Sequence, residues 1–349
     1  MKNIKIANRL VGEGCTTFII AEAGVNHNGD ISLAKKLIDI AGQVGADAVK
    51  FQTFKTDSLV TSTADKAPYQ KETTGSSESQ YDMLKKLELK PFEFRELSDY
   101  ATSKGLIFLS SPFDLFSVDL LDEMSISAFK IPSGEITNVT LLKHISRKGK
   151  PVILATGMST LNEVDEAVTL LREEGRNDII LLHCVSAYPA RSEDSNLKAM
   201  DTMRRKFKLP VGFSDHTLGT EVSIAAVALG ACVIEKHFTI DKNMPGPDHR
   251  ASLDPSELKE MVRAIRNVEK SIGDGIKKPV AAELENKKTV RRSLVARVDI
   301  PIGTYITGDM LDMRRPNTGI DPRDVDKVIG KKVNKSVKAS ELIYFKDLE

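Results

Sequence analysis

Cysteine is scarce in this chain. Cys15, Cys184 and Cys232 are the only three, with no CxxC spacing. They exclude a disulfide framework and fit a reducing compartment. An excess of one charge sign is also missing: 50 Lys and Arg face 49 Asp and Glu, a formal net charge of +1. Bulk electrostatics therefore favour no nucleic-acid or polyanion partner. No apolar run is long enough to cross a bilayer, so no membrane partner is expected. The opening MKNIKIANRLVGEG holds no long apolar stretch of the signal-peptide kind, so none is expected. What these absences leave is a cytoplasmic α/β protein. Its 349 residues suit one large domain, or a large one with a small one.

Short apolar runs alternate with amphipathic stretches. The runs are TFIIA (Thr17–Ala21), AVKFQT (Ala48–Thr53), IFLSS (Ile107–Ser111), AFKI (Ala128–Ile131), VILAT (Val152–Thr156), IILLHC (Ile179–Cys184), VGFS (Val211–Ser214) and VIEKH (Val233–His237). Helical patterns lie between them, the first with Ser32 as expected N-cap. Gly105, Gly175 and Gly230 stand where helix C-caps belong. Eight such units predict a parallel sheet, and the (β/α)8 barrel is the closed arrangement that matches. A doubly wound open sheet is the rival. No GxGxxG follows the first run to support it.

In a barrel, the ends of the strands carry the site. Glu22, Lys50, Gln52, Ser111, Lys130, Ser133, Ser186, Ser214, Asp215, His216, Glu235 and His237 all fall there. Polar loops meet any strand end, which accounts for hydroxyls alone. Lysines within apolar strands need a partner, so Lys50 and Lys130 ask for a local carboxylate or a bound anion. His216 and His237 end neighbouring strands. They are either two satisfied imidazoles or a two-ligand divalent metal site with open positions, with Asp215 and Glu235 as orienting carboxylates. The loop TIDKNMPGPDHRASL presents Asp248 beside them.

The connection from Lys55 to Lys90 is long, and SQYDMLKKLEL within it reads as a short helix. Connections of this length act as lids or are surface insertions. Residues 276–289 read as a charged, turn-rich linker. Residues 290–349 read as a small loop-rich domain, near the size where a core is marginal alone. The barrel is expected over residues 1–275.

AEAGVNHNGD, VKFQTF, FKIPSGEITN, ATGMST, HCVSAYPA, GFSDHT and EKHFT…PGPDH, in this order, resemble the sialic acid synthase family. The tail RRSLVA…IPIGTYI…RRPNTGI…IGKKV resembles that family's antifreeze-like (SAF) domain. The resemblance implies condensation of phosphoenolpyruvate with an N-acetylated mannosamine-type sugar, in which a metal polarises the aldehyde oxygen. It implies Mn2+ at His216 and His237, with Mg2+ or Co2+ as alternatives. Lys50, Ser111, Lys130, Ser133, Ser186 and Ser214 would hold phosphoenolpyruvate. Gln52, Glu135, Tyr188, Asp248 and Arg315 would meet the sugar, with Glu22 as acid/base and Asn26 shaping the loop. A domain-swapped homodimer would bring Arg315 to the site of its partner. N-acetylmannosamine and 2,4-diacetamido-2,4,6-trideoxymannose both stay open as the sugar, hence N-acetylneuraminate or legionaminate as product. The PGPDH loop speaks against the pseudaminate branch. Two further readings are a Schiff-base aldolase acting through Lys50 or Lys130, and a sugar- or ice-binding module.

Overall fold

The computed structural model describes residues 2–349; Met1, the first residue of the expected barrel domain, lies outside them. The chain divides into two compact units, up to Gly273 and from Asp274 onward.

The first unit is built on eight parallel strands: β1 (Phe18–Gly24), β2 (Ala48–Thr53), β3 (Ile107–Pro112), β4 (Phe129–Ile131), β5 (Val152–Ala155), β6 (Ile179–Cys184), β7 (Val211–Asp215) and β8 (Val233–His237). Their order is β3-β2-β1-β8-β7-β6-β5-β4. β3 and β4 lie side by side at the seam without a ladder, so the barrel is nearly closed. All eight predicted runs are strands. The fold is the α/β (β/α)8 type that their alternation with helices predicts.

Alternation within each strand separates two cores. Ile19, Ala21, Val49 and Phe51 face the surrounding helices. Phe18, Ile20, Ala48, Leu109, Ile153, Ile180 and Val233 face inward, as the period of two requires. A short antiparallel hairpin, Ile4–Ile6 with Arg9–Val11, joins this inner core through Ile4, Ile6 and Val11. It closes the N-terminal mouth. Its three-residue strands are too short to show a periodicity in sequence.

Helix Ile31–Gln43 is capped by Asp30, whose carboxylate accepts from Ser32 N at 2.6 Å. The expected cap, Ser32, is instead inside the first turn, because the stronger carboxylate acceptor stands two residues earlier. Gly105, Gly175 and Gly230 follow helix ends with φ of 77°, 84° and 87°, as expected of C-caps. The long connection holds helices Thr56–Leu59, Pro68–Thr74 and Gln80–Leu87. Its buried Lys66 ties the segment to itself by donating to Thr74 Oγ1, Gly75 O and Glu78 Oε1.

The second unit pairs Ser293–Ala296 with Leu311–Arg314 around its own small core, including Leu294, Ile306, Val328 and Ile343. Within the stretch expected as linker, helix Ala281–Val290 forms with every residue exposed. Glu283 accepts from Val280 N at its start. A capped turn followed by good helix formers is enough for it.

Candidate active site

The inward face of the barrel changes character within one period of each strand. Ile20 is followed by Glu22, Ala48 by Lys50, Leu109 by Ser111, Ala128 by Lys130 and Val233 by Glu235 and His237. The registers set these on a common level, with Glu22 beside both Lys50 and His237, and Glu235 beside Ser214. Gly24, at φ 53°, lets the rim close in. A Cβ there would lie 3.3 Å from Glu22 Oε1 and from the His237 ring.

Four buried charges form the floor. Lys50 Nζ lies 2.7 Å from Glu22 Oε2 and 3.6 Å from Glu235 Oε2, and donates to Ser111 Oγ at 3.1 Å. Lys130 Nζ lies 3.1 Å from Glu235 Oε1, which also accepts from Ser214 Oγ at 2.9 Å. Both Oε2 atoms are buried without a directed hydrogen-bond donor, so the ion pairs leave acceptor capacity unused.

The two carboxylates are driven apart. Burial pushes the Glu22 carboxyl up to about 7, against the pull of Lys50. Burial also opposes ionisation of Glu235, but Lys130 and Lys50 outweigh it and hold that carboxyl far below its ordinary range. Burial works against the Lys50 charge too, yet Glu22 and Glu235 keep its ammonium above the ordinary value.

His216 and His237 stand together, ring centroids 5.6 Å apart. Val185 O lies 2.7 Å from His216 Nδ1; a carbonyl only accepts, so Nδ1 carries the proton and Nε2 the lone pair. His237 Nδ1 is buried and unpartnered. Burial lowers both imidazoles, His216 to about 4 and His237 well below its ordinary value. Both are therefore neutral at pH 7, the form that ligates metals. In chemistry the pair could hold one shared divalent cation. Among the described residues no group of three or more metal-binding side chains is gathered, so two protein ligands are what the site offers. Tyr188 packs on His216 at 4.3 Å and edge-on to His237 at 5.9 Å.

These groups line a cavity of about 780 Å3, together with Gln52, Ser133 and Ser186. Ser133 Oγ accepts from Gly157 N at 2.9 Å and lies 3.2 Å from Cys184 Sγ.

The NeuB family model matches residues 37–277, and the SAF domain model matches residues 291–349. The chain belongs to the NeuB family. It is an enzyme of the sialic acid synthase type. The N,N'-diacetyllegionaminic acid synthase of Campylobacter jejuni is 53% identical over 94% of this chain and 98% of its own. That of Legionella pneumophila is 48% identical over 97% and 96%. Among solved structures, the N-acetylneuraminic acid synthetase of Leptospira borgpetersenii, in complex with citrate, is 35% identical. It aligns with a TM-score of 0.72 over 82% of this chain and 95% of its own.

Three sequence expectations, at Asp215, Glu235 and Glu135, do not match the geometry of this NeuB site. Asp215 does not orient an imidazole: its carboxylate accepts from Thr217, Ser223 and Lys236. Strand alternation turns it away from Ser214 and His216. Glu235 shares the inward face, but it sits between the lysines rather than behind a histidine. Glu135 accepts from Asn138 Nδ2 at the start of helix Val139–Arg147, outside the cavity lining. Asp248 is buried within electrostatic reach of Tyr69 and Tyr188, which line the cavity, and its carboxyl is pushed up to about 6 by burial. The Asn26 amide donates to Phe238 O and Ser252 Oγ and ties two loops together. Arg315 is exposed in the second unit, whereas Arg314 is engaged by Asp312 and Ser340.

The sequence reading missed Tyr69. From the long connection it reaches the site and packs against Tyr188, ring centroids 5.0 Å apart and tilted by 31°. Among the described residues no helix is long and apolar enough to cross a membrane.

Proposed function

We propose that this chain condenses phosphoenolpyruvate with 2,4-diacetamido-2,4,6-trideoxymannose, giving N,N'-diacetyllegionaminate and phosphate. The observation that carries the reaction is the buried quartet of Glu22, Lys50, Glu235 and Lys130. It stands on the floor of a cavity roomy enough for both substrates. The choice of sugar is supported by the two legionaminate-forming relatives, which are nearer in sequence than the N-acetylneuraminic acid synthetase.

Lys50 and Lys130, with the hydroxyls of Ser111, Ser133, Ser186 and Ser214, suit the phosphate and carboxylate of phosphoenolpyruvate. The entering anion takes over donors that Glu22 and Glu235 hold when it is absent. Carbon 3 attacks the aldehyde carbon, and positive charge develops at carbon 2. Glu235 stays ionised near that charge. A water then adds to carbon 2 and gives its proton to Glu22, whose value near 7 suits both taking and returning it. The bond between carbon 2 and the phosphate oxygen breaks as the new hydroxyl becomes a ketone. Of the two water protons, one ends on the former aldehyde oxygen and one on phosphate.

His216 and His237 would hold a divalent cation, Mn2+ before Mg2+ or Co2+, which supplies Lewis acidity for a carbonyl oxygen when bound. A homodimer that delivers Arg315 to the sugar of its partner belongs to the same reading. A Schiff base on Lys50 is disfavoured, because a nucleophilic lysine needs a lowered value and Lys50 is held above its own.

The test is phosphate release from phosphoenolpyruvate with Mn2+ and either sugar. Release with the diacetamido sugar, lost in His216→Ala and His237→Ala, is expected. Absence of release with both sugars overturns the reaction. Faster turnover of N-acetylmannosamine overturns the choice of sugar.

A further inference from the structure

The loop after β8 leaves the barrel and returns to it at one point. Thr239 N donates to Leu253 O, and Leu253 N donates to His237 O, each at 2.9 Å. Between these ends the loop carries Pro245, Gly246, Pro247, Asp248 and His249. Asp248 comes within electrostatic reach of the cavity through Tyr69 and Tyr188. The next residue, His249, is fully buried and has no part in the chemistry set out above.

The bonds of His249 follow by elimination. Asn28, in the loop after β1, donates its amide Nδ2 to Pro245 O at 2.8 Å. Its other end, Oδ1, lies 3.1 Å from His249 Nε2 and can only accept. Nε2 therefore carries the proton. Nδ1 then accepts from Thr239 Oγ1 at 2.6 Å. Burial lowers this imidazole to about 4, so the neutral ring is the form present at pH 7.

One ring thus joins the base of its own loop to the loop after β1. Gly246 makes room for that contact at φ 148°: a Cβ there would lie 2.6 Å from His249 Cδ2 and 2.8 Å from Asn28 Oδ1. On the far side of Asp248, Ser252 Oγ donates to Asp248 O at 2.6 Å and accepts from Asn26 Nδ2 at 2.9 Å. The loop after β1 therefore grips the segment on both sides of Asp248. A displacement of about 1 Å at a substrate-positioning group can cost about 100-fold in rate, so a fixed loop matters to the chemistry.

We propose that the hydrogen bond from His249 to Asn28 is the latch that positions Asp248 for the sugar, which makes His249 and Asn28 positioning residues of the reaction. The inference rests on the proposed condensation with Asp248 at the sugar, and adds the pair that holds it there.

The experiment measures KM for the sugar and for phosphoenolpyruvate separately, with the full chain and Mn2+. The sugar is 2,4-diacetamido-2,4,6-trideoxymannose, or N-acetylmannosamine where the parent turns over only that. Asn28→Gly removes the acceptor and keeps the left-handed backbone that Asn28 adopts at φ 51°. His249→Leu removes both ring nitrogens. Each should raise the sugar KM about tenfold or more and leave the KM of phosphoenolpyruvate unchanged. His249→Gln places an amide donor where Nε2 stands, and should bring the sugar KM back to within about threefold of the parent. Where His249→Leu fails to fold, Asn28→Gly carries the test. A sugar KM unchanged in Asn28→Gly overturns the latch and leaves the reaction standing. So does a rise in both KM values together, which would mean a general loss of structure. His249→Gln as impaired as His249→Leu overturns the Nε2 bond as its basis. A parent that releases no phosphate with either sugar overturns the reaction and this inference with it.

Discussion

The two ends of the barrel are made by the same strands and the same inward face, yet they are opposite in kind. At the N-terminal end, Phe18, Ile20, Ala48, Leu109 and Val233 meet Ile4, Ile6 and Val11 of the hairpin. At the C-terminal end, one period later, Glu22, Lys50, Ser111 and Glu235 replace them. The first end gains stability from apolar burial, at about 25 cal/mol per Å2 removed from water. The second spends stability, because buried charges are compensated only while every partner is present. The contrast shows a scaffold and a site that share strands and differ by two residues of register.

The comparison breaks hardest at Lys130. Lys130→Met leaves Glu235 buried with one cation fewer, and removing one member of a buried pair costs about 3–5 kcal/mol. We expect chemical denaturation to show that loss, together with loss of phosphate release. Adding Glu235→Gln should restore much of the stability and none of the activity. A Lys130→Met protein as stable as the parent would mean that the polar end is not held together by its ion pairs.

Strand alternation accounts both for what was legible in sequence and for what was not. The eight strands, the buried lysines and the histidine pair could be read because each is an apolar run ending in an unusual residue. Asp215 and Glu235 were assigned by adjacency to histidines. Alternation already puts Ser214 and His216 on one face and Asp215 on the other, and that rule corrects the assignment. Tyr69 could not be read, because its role depends on how a long segment folds back onto Tyr188. The hairpin could not be read either: a buried Ile4 or Ile6 in a three-residue strand carries no periodic signal.

Asp248 sharpens the comparison within the polar end, because its value is shifted by burial without a compensating cation. Its folded value of about 6 stands above the ordinary 3.8, so the folded chain binds that proton more tightly than the unfolded one. Stability therefore falls as pH rises from about 4 to about 6, and the full penalty persists above it. The penalty is on the order of 3 kcal/mol. Asp248→Asn should be stabilising at pH 8 by up to that amount and neutral at pH 4, as urea unfolding at both values would show. A variant destabilised at pH 8 would mean that the carboxylate has a partner that outweighs its burial.

The smallest effect is expected at the apolar end, on the outer side of the hairpin. Ile4, Ile6 and Val11 are buried, while Leu10 between them in the paired strands is 57% exposed. If the hairpin serves only as a plug, its outward residue contributes little beyond strand propensity. Leu10→Lys should then change stability by no more than about 0.5 kcal/mol and leave phosphate release unaltered. A larger loss of stability would show that the outer face of the hairpin is covered in solution, and that the N-terminal end has a surface of its own to protect.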